Sequence, residues 1–179
     1  MPTTVWFLSL VVGVIAIDLA TTQIARRYLS DQPQRTYLAG IVTLHLVDNT
    51  GAAFGLGAHV EWIVEIVEVG LLALGVWFAH KATPLVRGGL ALVIGGGLGN
   101  LIVRLTGSAG PLRSPVVDWI HLSFYPTTFN LADVALRIGI VVVLVGLVLA
   151  WRNDRGQRSI ASPGCADSAH ANANTRHHR

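Results

Sequence analysis

The stretch Val116–Leu136, VVDWIHLSFYPTTFNLADVAL, decides how this chain is read. It carries two aspartates, Asp118 and Asp133, fifteen positions apart. Val116, Val117, Trp119 and Ile120 surround the first; Leu131, Ala132, Val134 and Ala135 surround the second. Apolar company disfavours a charged carboxylate and raises its pKa. Two such groups brought together can share a proton and perform general acid/base chemistry.

The surroundings of this stretch are those of a membrane protein. The 179 residues are 52% hydrophobic and 13% charged, against about 25% charge in ordinary soluble domains. Mean hydropathy is +0.56. The net charge of +3 is small and dispersed, which argues against nucleic acid as a partner. One cysteine, Cys165, lies in the polar C-terminal segment and forms no internal disulfide. It has no neighbouring base to activate it as a nucleophile.

Four spans are expected, at residues 5–24, 61–79, 85–105 and 131–151. Each is long enough for a hydrocarbon layer of roughly 30 Å. The first lacks a basic leader and a small-residue cleavage site, so it reads as a retained helix rather than a signal peptide. Residues 28–59 are mixed. Thr43–Val47 alternates as a strand should, and Asp48–Gly51 reads as a turn. Glu61, Glu65 and Glu68 share one face of the second span. The third is rich in glycine, which lets helices approach closely. Asn100 and Arg104, four apart, share a face that would not be stable against lipid. The expected fold class is therefore all-α: a four-transmembrane-helix bundle with a small extracytoplasmic β-rich platform at about 28–59. Residues 1–151 form the membrane domain and 152–179 a disordered cytoplasmic tail. An even number of spans puts both termini on one side, read as cytoplasmic from the basic 80–87 turn and the Arg152–Arg158 segment. Asp118 and Asp133 then lie near the outer face.

Each aspartate also has an ordinary structural reading. With Asn130 as N-cap, Asp133 falls at the third position of the fourth span, where acids complement the helix dipole. Asp118 alone would suit an interfacial turn, and Asp18 either an internal pair with Arg104 or the cap of a polar contact. Together, Asp118 and Asp133 permit one carboxylate to activate water while its protonated partner polarises a peptide carbonyl. No serine-histidine-aspartate order, zinc-binding helix motif or phosphate loop competes.

In this order the motifs resemble the bacterial lipoprotein signal peptidase (signal peptidase II) family. The resemblance covers most of Val5–Trp151. It rests on Asp18 with Thr21, on Asn49-Thr50-Gly51-Ala52-Ala53-Phe54, on Gly96-Gly97-Leu98-Gly99-Asn100-Leu101-Ile102 with Arg104, on Val116–Ile120, and on Phe129–Asp133. It implies an intramembrane aspartic endopeptidase with Asp118 and Asp133 as the catalytic dyad. Asp18, Asn49, Asn100, Arg104 and Asn130 would support or line the site. It implies lipid-modified prolipoproteins as substrates, cut on the N-terminal side of a diacylglyceryl-cysteine. The expected protein is a monomer of the bacterial cytoplasmic membrane, in contact with membrane lipids, with no metal and no cofactor. Two departures stand out: Thr22 occupies the place of the family's usual lysine, and Val103 that of the aspartate before Arg104. Two other readings are a non-catalytic lipoprotein-binding paralogue and a small proton-coupled transporter using Asp18, Glu68 and Arg104.

Overall fold

A computed structural model describes residues 3–30, 32–50, 61–110 and 114–161, with backbone alone for 61–65, 67, 68 and 156–161. In chain order the elements are α1 (Thr3–Leu29), β1 (Arg35–Tyr37), β2 (Val42–Asn49), α2 (Glu61–Ala79), α3 (Pro84–Thr106), β3 (Val116–Leu122) and α4 (Leu131–Ala161). Among the described residues, three helices are long and apolar enough to cross a membrane: Thr3–Leu29, Pro84–Thr106 and Leu131–Arg155. Of α2, the apolar portion among the described residues is Val69–Ala79. Of the four expected spans, three are supported by length and hydropathy among the described residues.

Helix α3 is the central element. Over its apolar window 56% of residues are buried, against 17% in α1 and 11% in α4. Glycine makes this possible, because a missing side chain lets backbones touch. A Cβ on Gly89 would lie 2.8 Å from the Gly139 carbonyl oxygen of α4, and one on Gly139 would lie 2.7 Å from that of Gly89. On its other side Gly95 abuts Val14 of α1, with 2.8 Å from its built Cβ to the Val14 Cβ. Phe7, Val11, Leu72, Val86, Leu90, Ala91, Ile94 and Leu101 fill the core. The outward faces of α1 and α4 carry exposed Val, Leu and Ile, as lipid-facing helices do.

Helix α3 starts where its sequence says it should. Thr83 Oγ1 accepts the Val86 amide at 3.5 Å, and Pro84 occupies the first position, where its missing N–H costs nothing. Arg87 in its first turn donates from Nε to the Ala79 carbonyl at 2.9 Å and from Nη2 to Ala82 at 3.0 Å. The guanidinium thereby satisfies carbonyls left free at the end of α2.

The strands form one antiparallel sheet in the order β1-β2-β3. Among its described residues, the 28–59 segment supplies two of them. Residues up to Leu29 belong to α1, which is longer than the expected 5–24 span, and β2 runs to Asn49 through the expected turn at Asp48. The third strand comes from the opening stretch itself: Val116–Leu122 is β3, where a turn had been expected around Asp118. Its partner is far away in sequence, so no local pattern announces the pairing. Helix α4 continues to Ala161, past the expected boundary at Trp151. Arg152, Asn153, Asp154 and Arg155 are tolerated in a helix once it has left lipid, and Arg155 stacks on Trp151 at 3.9 Å. Residues 162–179, with Cys165, and residues 51–60 of the expected platform lie outside the described residues.

Candidate active site

The two aspartates of the opening stretch are brought together by a backbone clasp. Beyond β3 the chain turns and Phe129 returns to pair with Ile120. The Phe129 amide donates to the Ile120 carbonyl at 2.9 Å, and the Ile120 amide donates to the Phe129 carbonyl at 3.0 Å. Asp118 lies two residues before this clasp and Asp133 four residues after it. The sheet therefore delivers one carboxylate, and the start of α4 the other, to a common place.

Asp118 is 2% exposed. Asn49 of β2 donates to its Oδ2 at 2.9 Å, while Oδ1 is buried with no hydrogen-bond partner among the described residues. This contact depends on an irregularity in the sheet. Leu44 pairs with Ile120 and Val47 with Asp118, so His45 and Leu46 together oppose Trp119. Such a bulge shifts which side chains share a face. It places Asn49 diagonally from Asp118, within side-chain reach. Burial pushes the Asp118 carboxyl up from its ordinary 3.8 to about 6. The Asn49 hydrogen bond opposes the rise, the negative charge of Asp133 adds to it, and Arg104 and Arg137 oppose it. That Asp133 contributes places the two carboxylates within electrostatic reach of each other.

Asp133 is held by the helix it starts. Asn130 Oδ1 accepts the Asp133 amide at 2.9 Å, and Asp133 Oδ2 accepts the Asn130 amide at 3.5 Å. This is the reciprocal arrangement of a capping box, with asparagine at the N-cap and the acid three residues on. Asn100 of α3 donates to Asp133 Oδ1 at 3.2 Å and accepts from Asn130 Nδ2 at 3.0 Å. Asn130 is 1% exposed, and its amide spends both ends inside this network.

Asp18 enters from α1. Its Oδ1 accepts the Ala132 amide at 2.9 Å. It thus takes up one of the N–H groups that every helix N-terminus leaves free. Gly99 sits beside it, with 3.6 Å from its built Cβ to Asp18 Oδ2 and 3.7 Å to the Ala132 Cβ. On the next turn of the same contact, Gly96 packs against the Ala132 carbonyl, and its built Cβ would lie 3.1 Å from the Leu136 amide. Helices α1 and α3 therefore fix the first turn of α4, and with it Asp133.

The structure brings Asp18, Asn49, Asn100, Asp118, Asn130 and Asp133 into contact or near contact, and Arg104 into electrostatic range of Asp118. Of the two structural readings of Asp18, the Ala132 bond matches the capped polar contact. Thr22 is buried on α1 and Val103 is half-buried on α3. Glu68 lies among the residues whose side chains are not described. Sequence reading missed Arg137. It follows Asp133 by four positions, the spacing of residues on one helix face, and that was the available signal.

A buried Asp118 and a half-buried Asp133 at the head of an apolar helix, beside a small sheet, belong to a helical membrane protein. Comparison with known proteins narrows the class. The family model described as signal peptidase (SPase) II matches residues 10–149. Lipoprotein signal peptidases are similar along most of the chain. That of Mycolicibacterium smegmatis is 32% identical over 87% of this chain and 68% of its own length. That of Leifsonia xyli is 34% identical over 87% and 76%, and that of Mycobacterium avium 31% over 82% and 81%. Two structures of a bacterial membrane enzyme solved by the in meso method also match. The one at 1.9 Å resolution is 26% identical over 79% of this chain and 91% of that chain, with a TM-score of 0.66. The one at 2.3 Å is 25% identical over 82% and 90%, with a TM-score of 0.69. This chain belongs to the signal peptidase II family. As a member of it, the chain is a protease.

Proposed function

We propose that this protein is an intramembrane aspartic endopeptidase that removes signal peptides from lipid-modified prolipoproteins, with Asp118 and Asp133 as its catalytic dyad. The family supports signal-peptide removal from lipoproteins. The single observation that supports the aspartic mechanism is the Ile120–Phe129 pairing, with Asp118 two residues before it on β3 and Asp133 four residues after it in the first turn of α4.

In this reading the pair works with one proton between them, and its titration belongs to the pair rather than to either residue. Asp118, in its desolvated strand position, holds the proton and donates it toward the scissile carbonyl oxygen. Asp133, among N–H donors at a helix N-terminus that suits negative charge, takes a proton from the attacking water. The water oxygen bonds to the carbonyl carbon. When the tetrahedral intermediate collapses, the proton gathered by Asp133 passes to the leaving nitrogen, the peptide bond breaks, and Asp118 recovers its proton from the hydroxyl as the carbonyl re-forms. Asn49 and Asn100 orient the two carboxyls, while Asp18 and Asn130 hold the first turn of α4. Arg104 sets the local charge.

The wider arrangement follows from the same reading. Residues 1–151 are the peptidase domain, and α2 makes the fourth crossing. Both termini face the cytoplasm, the dyad lies near the outer face of the bacterial cytoplasmic membrane, and the enzyme acts as a monomer. Cleavage falls on the N-terminal side of the diacylglyceryl-cysteine, whose acyl chains remain in the bilayer.

The test is a cleavage assay of the reconstituted full chain on a prolipoprotein with and without its diacylglyceryl group. A peptidase of this kind releases the signal peptide from the modified form alone. Binding of the modified substrate without release would instead identify a lipoprotein-binding paralogue. Proton flux lost in Asp18→Asn but kept in Asp118→Asn would identify a transporter.

A further inference from the structure

Arg137 poses a problem that the peptidase reading does not resolve. It is an exposed residue of α4, inside a segment apolar enough to span a membrane. It lies six residues past Leu131, about 9 Å along the helix axis. An arginine so placed is unfavourable against hydrocarbon unless its charged end reaches polar surroundings. Among the described residues no carboxylate lies within ion-pair distance of it. Its guanidinium turns back toward the head of the helix and lies 5.4 Å from the ring centres of both Tyr125 and Phe129. Those rings are themselves edge to face, with centroids 5.8 Å apart at 86°.

Stacking on ring faces occupies a guanidinium from above or below and leaves its edge, where the N–H donors point, for another group. Beside it opens a cavity of about 180 Å³ lined by Leu122, Tyr125, Phe129, Val134, Arg137 and Ile138. The surface lining this cavity is apolar, Arg137 included, so the guanidinium lies at its edge rather than within it. A group that fits both parts is an amphiphile with an anionic head and a hydrocarbon chain.

We propose that this groove binds an anionic phospholipid from the leaflet at the head of α4, its phosphate on the Arg137 guanidinium and an acyl chain along Val134 and Ile138. The charge complements the cation at the edge of the groove, and the apolar walls continue the lipid-facing surface of α4. The site adjoins the aspartate pair without including it, so the inference stands apart from the peptidase reading.

The experiment uses the full chain reconstituted in phosphatidylcholine vesicles with trace spin-labelled phosphatidylglycerol or spin-labelled phosphatidylcholine. The motionally restricted fraction of each label is read by electron spin resonance. The anionic label should be held about fivefold more strongly than the zwitterionic one, the effect of one basic residue near a lipid surface. Arg137→Gln should bring the two labels to parity, and Arg137→Lys should keep part of the preference. Ile138→Trp, which fills the groove but keeps the charge, should also lose it. Lys81→Gln, on the α2–α3 turn, should leave it intact. A preference that survives Arg137→Gln, or one that Lys81→Gln abolishes equally, overturns the proposal. So does displacement of the label by excess inorganic phosphate, which would identify a free-anion site instead.

Discussion

Asn130 and Asp133 cap each other: the asparagine oxygen accepts the Asp133 amide at 2.9 Å, and the Asp133 carboxylate accepts the Asn130 amide at 3.5 Å. The motif that begins helix α4 therefore also positions the proposed base. The same hydrogen bonds serve helix formation and carboxylate orientation. Substitutions here would affect both, so tests of the site need variants that separate the two.

The glycines of α3 allow one such separation. A Cβ on Gly96 would collide with the Ala132 carbonyl and crowd the Leu136 amide, both backbone groups of the turn that carries Asp133. Overpacking of this kind costs roughly 1–3 kcal/mol. Gly96→Ala should lower the melting temperature in detergent and depress cleavage sharply. Gly99→Ala meets only ordinary contacts, the nearest at 3.6 Å, and should change neither by much.

Asp18 should act as an acceptor for the head of α4. Asp18→Ala leaves the Ala132 amide without its 2.9 Å partner, at a cost of about 1–2 kcal/mol. Asp18→Asn keeps an acceptor oxygen and loses only the charge. Thermal denaturation should rank the variants wild type, then Asp18→Asn, then Asp18→Ala. Equal stability of Asp18→Ala and wild type would contradict this role.

Asn49 holds the Asp118 pKa down through its hydrogen bond. Removing that donor in Asn49→Ala should raise the Asp118 pKa further above about 6. If Asp118 supplies the shared proton, the alkaline limb of the cleavage profile should move to higher pH. A limb that stays in place, or moves to lower pH, would speak against Asp118 as the acid.

The raised Asp118 pKa also has a consequence for stability. Between the ordinary 3.8 and the folded value of about 6, the folded protein keeps a proton that the unfolded chain releases. Stability from this group is therefore lost as pH rises through that window. Asp118→Asn removes the dependence. It should be more stable than wild type at about pH 8, on the order of 3 kcal/mol. At about pH 2, where Asp118 is neutral in both states, the difference should vanish.

The pieces legible in the sequence were those set by local chemistry. The Asn130 cap, the position of Asp133 within the first turn of α4, and the glycine-rich closeness of α3 all follow from short-range patterns. Strand β3 was not legible, because Val116–Leu122 pairs with β2, whose residues lie about seventy positions earlier, and a short apolar run around an aspartate carries no sign of that partner. The bulge at His45 and Leu46 was hidden for the same reason, although it sets which face Asn49 shares with Asp118. Asp18 was recognised as a buried acid, but its bond to a backbone amide of α4 depends on how three helices meet. Arg137 had the helical spacing to be noticed, and only the return of Tyr125 and Phe129 beside it gives that spacing meaning.

The central claim is that Asp118 and Asp133 act as one acid–base pair. The most direct measurement is cleavage of a diacylglyceryl-modified prolipoprotein by Asp118→Asn and by Asp133→Asn, each shown to be inserted and folded. Asparagine keeps the size and much of the hydrogen bonding while removing the ionisable proton. The account predicts that each variant loses activity by at least ~100-fold, with substrate still bound. Wild-type cleavage by either variant would contradict it.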